Sequence, residues 1–324
     1  MVNGLQSKFS KWLEVMSLHG QSLVGISQYI KEIGRGKQGA RPLARAQAAD
    51  LFGQVLDGTV SDLEIGAFCL AMRIKGETPE EMCGFMDATY ARLNRVPDGG
   101  KPVVVLPSYN GGRKLPVLTP LLALLIARRG LPVLIHGTAT ESSRVFVPHV
   151  LQALGIHALP AVRAIEPGEA AYVPTELLCP GLKRLLDVRR VVGLRNSAHS
   201  LVKLMNPCAG PAVVVSSYTH PEYAVSMAAV FELMGSTALL LRGTEGEVVA
   251  DARRLPQMDG FIAGRRVPLE EGRRGTLTDS PDLPRAIDAE TTAAYIRDVL
   301  AGIKPVPASM ALQVEHILRL AESP

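Results

Sequence analysis

The chain has 324 residues, 47% of them hydrophobic, so it can bury a substantial core as one large domain or, as the change of pattern near residue 98 favours, two unequal ones. A net charge of +4 and a pI near 8.9 fall short of the footprint of a dedicated nucleic-acid-binding domain, so only clustering of cations can argue for such a partner. Cys69, Cys83, Cys179 and Cys208 form no CxxC pair, which speaks against a zinc site or a disulfide framework and fits a reducing cytoplasm.

Lys8, Lys11, Glu14 and His19 interrupt the N-terminal stretch before an apolar run can build, which argues against a signal peptide. The first twenty residues, Trp12 among them, carry no pattern that decides between order and disorder. Residues 1–97 otherwise read as helical. Ile26 to Ile33 is apolar-periodic, and Ala44 to Leu56 buries Leu51, Phe52, Val55 and Leu56 before Asp57-Gly58. Ser61-Asp-Leu-Glu64 is a capping box that predicts a helix to about Arg73, and Thr78-Pro-Glu-Glu81 repeats the device with Pro79 at the first helical position.

From residue 98 the grammar changes. Pro102 to Leu106 predicts a strand ended by Pro107 and followed by a Ser-Tyr-Asn-Gly-Gly loop; Leu118 to Arg129 predicts a buried helix, and Pro132 to Ile135 a second strand before His136-Gly137. Strand, helix and strand imply a parallel sheet, and the apolar run Pro116 to Ala127 is too short to span a bilayer. Thr175 to about Met205 reads as helical and joins the first domain. Strand Ala212 to Ser216, helix Pro221 to Met234 and strand Thr237 to Leu241 resume the alternation. Gly243 to Glu247 is a turn, Gly260 to Asp282 is irregular or a hairpin, and helices Ala289 to Leu300 and Pro307 to Ala321 end the chain. The α/β domain therefore takes residues 98–173 and 206–324.

Of 35 cations, 25 are Arg, whose planar fork grips phosphate or carboxylate bidentately, although codon bias yields the same excess. Arg195, His199 and Lys203 recur every four residues, a spacing that stacks them into one electropositive stripe on a helix, approached by Arg189 and Arg190. Such a stripe calls for an anion. His199 would charge near pH 6 to 7 unless cationic neighbours keep it neutral. Lys183 and Arg184 extend this basic region. Lys31, Arg35, Lys37, Arg41 and Arg45 lie in a glycine-loosened stretch that suits flexible phosphate contact. Arg253, Arg254, Arg265, Arg266, Arg273 and Arg274 form further pairs that a solvated face explains equally well. With 5% aromatics, a nucleic-acid partner would be held by its backbone, with little stacking and steep salt dependence.

The chain resembles the anthranilate phosphoribosyltransferase scaffold shared with pyrimidine nucleoside phosphorylases, from about Gln28 to the last helix. Its best-matching stretches are Gly193-Leu-Arg195 through Asn206-Pro207, Ser217 through Gly235, and Ser142-Ser143 through Leu154-Gly155. Five motifs resemble the YbiB-type side branch: Lys31-Glu-Ile-Gly-Arg-Gly-Lys37, Ala71-Met-Arg-Ile-Lys-Gly-Glu77, Pro107-Ser-Tyr-Asn-Gly111, Leu194-Arg-Asn-Ser-Ala-His199 and Arg242-Gly-Thr-Glu-Gly-Glu-Val248. The resemblance implies a nucleoside phosphorylase-like fold, a small helical domain plus a larger α/β domain with a central, mostly parallel sheet. The branch implies a homodimer that binds DNA or RNA without sequence preference.

The transferases need a glycine-rich loop ending in Asp for the pyrophosphate, a Lys-His-Gly-Asn-Arg segment, and an adjacent Asp-Glu pair for magnesium. Here Ile135, Thr138 and Ala139 replace Lys, Asn and Arg around His136-Gly137. The loop reads Pro107-Ser-Tyr-Asn-Gly111 or, two residues on, places Arg113 at the Asp; Val248 and Val249 fall where Asp and Glu stood. Arg195 stands at the position facing the aromatic acceptor, and Thr119 and Ser143 at phosphate or ribose positions. His199 and Lys203 replace an Asn and a Pro.

The sequence thus predicts nonspecific nucleic-acid binding by a cytoplasmic homodimer through Arg195, His199, Lys203, Lys31, Arg35, Lys37, Arg41, Lys183, Arg184, Arg189 and Arg190, with no catalytic residue and no cofactor. A residual phosphate pocket is expected at Asn110, Gly111, Gly112, Arg113, Thr119, His136, Gly137 and Ser143. The alternative is a phosphoribosyl or glycosyl transferase, or a phosphorylase, with an altered acceptor, its donor phosphoribosyl pyrophosphate bound with Mg2+ at Glu245 and Glu247, weak metal candidates that solvation or nearby arginines explain better. A small-anion or nucleotide binder without catalysis lies between the two.

Overall fold

The structure is a computed structural model of the chain that describes residues 25–141, 143–273, 275–277 and 281–323; the first twenty residues with Trp12, together with Ser142, Arg274 and the side chain of Lys37, lie outside it. Among the described residues the first five helices are α1 (Ser27–Ile33), α2 (Gly36–Gly39), α3 (Arg45–Asp57), α4 (Asp62–Lys75) and α5 (Pro79–Tyr90). Both capping boxes form. Ser61 Oγ accepts from Glu64 N–H at 3.3 Å while Glu64 accepts from Ser61 N–H at 2.9 Å, and Thr78 and Glu81 repeat the exchange at 3.2 and 2.9 Å.

Glu81 does more than cap. Fully buried, its carboxylate also accepts from Lys75 Nζ at 2.6 Å and from the backbone of Leu43 at 2.9 Å, tying the end of α4, the start of α5 and the approach to α3 together. Phe52, Phe68 and Phe85 fill the space between α3, α4 and α5, with Phe52 and Phe85 stacked at 4.6 Å. Helices α3 and α5 cross closely at Gly84, where a Cβ would lie 2.3 Å from the carbonyl of Arg45.

The α/β part alternates β1 (Val103–Ser108), α6 (Thr119–Ala127), β2 (Val133–Gly137), α7 (Val147–Ala153) and β3 (Ala170–Pro174). It continues with α8 (Thr175–Leu178), α9 (Pro180–Val192), α10 (Ala198–Leu201), β4 (Ala212–Tyr218), α11 (Pro221–Leu233) and β5 (Ala238–Arg242). The hairpin β6 (Met258–Ile262) and β7 (Arg265–Glu270) then precedes α12 (Ala289–Leu300) and α13 (Ala308–Ala321). Strand order is β3-β2-β1-β4-β5-β6-β7; the first five run parallel and the last two antiparallel. Alternation sorts the strand side chains: Val103 and Val105 join the core shared with the N-terminal helices, whereas Val104 and Leu106 join that of α6, α7, α12 and α13.

Three local expectations change. Strand β1 continues through Pro107 to Ser108, because Pro107 pairs with His136 in register and only its missing N–H is lost. Strand β2 runs past Ile135 to include His136 and Gly137. Strand β3, whose Ala-Ala-Tyr-Val-Pro has only Tyr172 and Val173 as strand formers, adds to the edge of β2. The chain reverses its course across the sheet between β1 and β4, so their carboxyl ends mark the switch point where α/β folds bind ligands. No helix among the described residues is long and apolar enough to cross a membrane.

Candidate functional site

The loop after β1 reaches the switch point with its backbone donors already engaged. Glu247, 3% exposed, accepts from the N–H of Asn110 at 2.9 Å and of Gly111 at 2.8 Å through one oxygen. Its other oxygen accepts from Ser108 Oγ at 2.7 Å and Thr119 Oγ1 at 2.9 Å. Glu245, two residues earlier, accepts from the N–H of Arg113 at 2.8 Å, Lys114 at 3.1 Å and Leu115 at 3.2 Å. Consecutive loop N–H groups make an anion nest, and here two internal carboxylates fill it. The turn that delivers them is tight: Glu245 holds φ +53°, and a Cβ on Gly246 would lie 1.7 Å from Asn110 Nδ2.

Glu247 is therefore a buried acid held by hydroxyls and backbone rather than by arginines, and half-buried Glu245 is held by backbone N–H groups. Among the described residues, no group of three or more His, Cys, Asp or Glu is placed to hold a metal ion. The expected phosphate pocket changes with them, since the donors of Asn110, Gly111, Arg113 and Thr119 are spent on carboxylates, and the space left beside Gly112 amounts to about 20 Å3. His136 is sealed in the core with its Nδ1 2.8 Å from the Tyr109 hydroxyl, and burial pushes its pKa down to about 3. Gly137 is a strand residue whose carbonyl accepts from the Tyr172 hydroxyl at 2.9 Å, and Ser143 is exposed on the following loop.

The stripe is also corrected. Helix α10 spans only four residues, Arg195 precedes it and Lys203 follows it. The three residues nevertheless line one cavity of about 370 Å3 between the α4–α5 connection, residues 195–204 and the segment from Ser217 to Val230. Lys203 is half-buried and donates to the carbonyls of Ser217 at 3.2 Å and Gly246 at 3.0 Å, so it braces the acidic turn; burial lowers its pKa to about 8. Burial, then the charges of Arg195 and Arg189, hold His199 at about 3, so it is neutral and the stripe carries two charges rather than three.

Beyond that cavity lies a denser cationic group. Glu141, on the loop after β2, receives Arg189 at 2.6 Å, Arg144 at 3.3 Å and Arg195 at 3.6 Å. Burial pushes its carboxyl up, but Arg189 and Arg144 outweigh that and leave it below the ordinary carboxylate range. One acid against three guanidinia leaves two positive charges uncompensated within the group, and Arg189 Nη1 is buried without a partner among the described residues.

Other expected cations are individually engaged. Arg35 pairs with Glu32 at 2.7 Å, Arg45 with Asp87 at 2.6 Å, Lys183 with Asp187 and Arg190 with Asp187 at 3.5 Å. Arg184 donates to the carbonyl of Leu56 at 2.8 Å, near the end of α3. Lys31 and Arg41 are exposed. Sequence spacing missed Glu141 and Arg144 altogether; a lone acid beside an arginine in a loop gives no signal until the fold brings α9 to it.

Residues 27–92 match the family described as glycosyl transferase family, helical bundle domain. Over 293 residues the chain is 42% identical to the protein YbiB of Escherichia coli K12, covering 88% of this chain and 91% of that relative. It belongs to the YbiB-type branch of the anthranilate phosphoribosyltransferase family. The anthranilate phosphoribosyltransferase of Nocardia farcinica is 27% identical over 271 residues, 81% of this chain and 77% of that one. Among solved structures, the enzyme from Thermus thermophilus superposes with a TM-score of 0.69 at 22% identity, covering 90% of this chain and 92% of that one, which shows the shared fold. In this chain, then, the loop after β1 is closed from within by Glu245 and Glu247.

Proposed function

We propose that the protein binds DNA or RNA without sequence preference as a cytoplasmic homodimer, on a transferase scaffold that no longer transfers. The observation that carries this reading is the contrast between the two anion sites. The phosphate nest is filled by Glu247 and Glu245, while Arg144, Arg189 and Arg195 share a single acid. Arginine forks in excess of their internal partners attract phosphates along a strand, a contact that reads no sequence. Exposed Lys31 and Arg41 extend the positive surface. Dimerisation is supported by α4, which exposes Leu63 (83%), Leu70 (47%) and Ile74 (55%) along one face of the helical domain.

The transferase reading has the scaffold in its favour but requires Glu247 to leave its four donors before a pyrophosphate can enter. A salt titration of oligonucleotide binding, run with and without phosphoribosyl pyrophosphate and Mg2+, separates the two. Unrelated single- and double-stranded sequences should bind comparably, with log affinity falling linearly in log salt. Salt-independent binding, or magnesium-dependent binding of the donor, would overturn the proposal.

A further inference from the structure

Helix α9 buries Leu182, Leu185 and Leu186 in the core it shares with α3, and at about 3.6 residues per turn Val191 falls on the side opposite Leu182. The helix therefore ends in an uncovered apolar tip. Val191, Val192, Gly193 and Leu194 are four consecutive exposed residues, with Val191 89%, Leu194 43% and Val192 36% exposed. Single apolar side chains on a surface are ordinary, but a run of them at one tip marks a contact. Gly193, at φ +75°, stops the helix and donates its N–H to the carbonyl of Arg189 at 2.8 Å, which fixes the shape of the tip. None of residues 191–194 lines the cavity of residues 195–204.

Cations surround this tip. Arg189 and Arg195 bracket it along the chain and, with Arg144, share Glu141. Arg190, its side chain 63% exposed, shares Asp187 with Lys183. Among the described residues these five cations are thus paired with two acids. An apolar tip set among unbalanced guanidinia suits a partner that carries anionic groups at intervals with apolar faces between them. Phosphates and bases along a nucleic-acid strand have that pattern. Three aliphatic side chains are too small a face for a membrane, which takes a whole amphipathic helix or a lipid chain.

Resting on the nucleic-acid reading, we infer that Val191, Val192 and Leu194 form a wedge that enters between neighbouring bases while Arg190 and Arg195, the most exposed of these cations, hold the flanking phosphates. Aliphatic side chains meet the faces of all four bases alike, so the wedge adds base contact without sequence preference. Parting two bases costs stacking energy, which the arginine–phosphate contacts beside the wedge offset.

Oligonucleotides carrying 2-aminopurine, whose fluorescence rises when it unstacks, test the wedge on the full chain, as single strands and as duplexes. Saturating wild type should raise the emission about twofold in unrelated sequences. The double variant Val191→Ser, Val192→Ser should leave the emission of the free oligonucleotide unchanged. Its melting temperature and its slope of log affinity against log salt should match wild type, because both side chains are exposed and the phosphate contacts stay. Val191→Phe, a larger wedge, should raise the emission further. Binding by wild type without any rise, or an equal rise with the serine variant, overturns the wedge; salt-dependent binding that persists then leaves the nucleic-acid reading standing, and its absence in wild type removes both. Anionic vesicles of phosphatidylserine that sediment wild type but not the serine variant would assign the tip to a membrane and overturn the wedge, as would a dimer that the serine variant alone fails to form.

Discussion

Glu247 Oε1 lies 2.8 Å from the backbone nitrogen of Gly111, the geometry of a carboxylate standing where a phosphate oxygen would be bound. Replacing it with alanine leaves two backbone N–H groups and two hydroxyls unpaired in a buried place. Glu247→Ala should therefore lower unfolding stability by about 3 kcal/mol, the scale for removing one member of a buried charged network. Millimolar pyrophosphate should raise the melting temperature of the variant but not of the wild type, because only the variant has a vacant nest. Equal stability of the two proteins would remove Glu247 from this role.

Glu141 restrains the cationic group by pairing with Arg144, Arg189 and Arg195. Glu141→Gln removes its charge while retaining hydrogen-bonding capacity, so oligonucleotide affinity should rise and the slope of log affinity against log salt should steepen by up to about one. Arg195→Ala should reduce that slope by about one for every sequence tried. Fluorescence anisotropy at several salt concentrations checks both; an unchanged slope in both variants places the contact elsewhere.

Two titrations have opposite consequences. Lys203, with a pKa lowered to about 8, loses its charge as pH rises through that value, so affinity for phosphate should decline above pH 8 in wild type and stay level in Lys203→Met. His136 and His199, both held near 3 against an ordinary value of about 6.5, remain neutral in the folded chain while the unfolded chain takes up protons below that value. The unfolded state then binds more protons, so stability falls as pH drops from about 6.5 toward 3, by about 1.4 kcal/mol per pH unit for each histidine. Urea midpoints at pH 7 and 5.5 should differ less in His199→Phe than in wild type, while nucleic-acid affinity stays level between pH 7 and 5.5.

Glu81 and Lys75 form a buried pair at 2.6 Å that also fixes Leu43 and the cap of α5. Glu81→Ala should destabilise the protein by about 3–5 kcal/mol, because it strands a buried ammonium and two backbone donors. Chemical denaturation measures the loss, and one below about 1 kcal/mol would contradict it.

Much of the helical region is legible along the chain, because the capping boxes at Ser61 and Thr78 are local chemistry completed within four residues. The parallel strands are likewise legible as β-branched runs. What escapes is nonlocal. Glu247 meets Asn110 across 137 residues and Arg189 meets Glu141 across 48, and no spacing rule encodes either encounter. The four-residue period of Arg195, His199 and Lys203 does bring them to one cavity, yet their states differ because burial neutralises the imidazole and backbone carbonyls claim the ammonium. β3 escapes for a related reason, since its pairing with β2 rather than its own composition extends it.

The turn at Glu245-Gly246-Glu247 gives the β1 loop a permanent resident of the right charge. A loop whose donors await a visitor must reorganise each time one arrives or departs, whereas this one is satisfied at all times. Under the proposed function, the scaffold is thereby freed from the opening and closing that turnover demands, and would serve as a stiff platform whose outer charges meet a long polymer without any inner rearrangement.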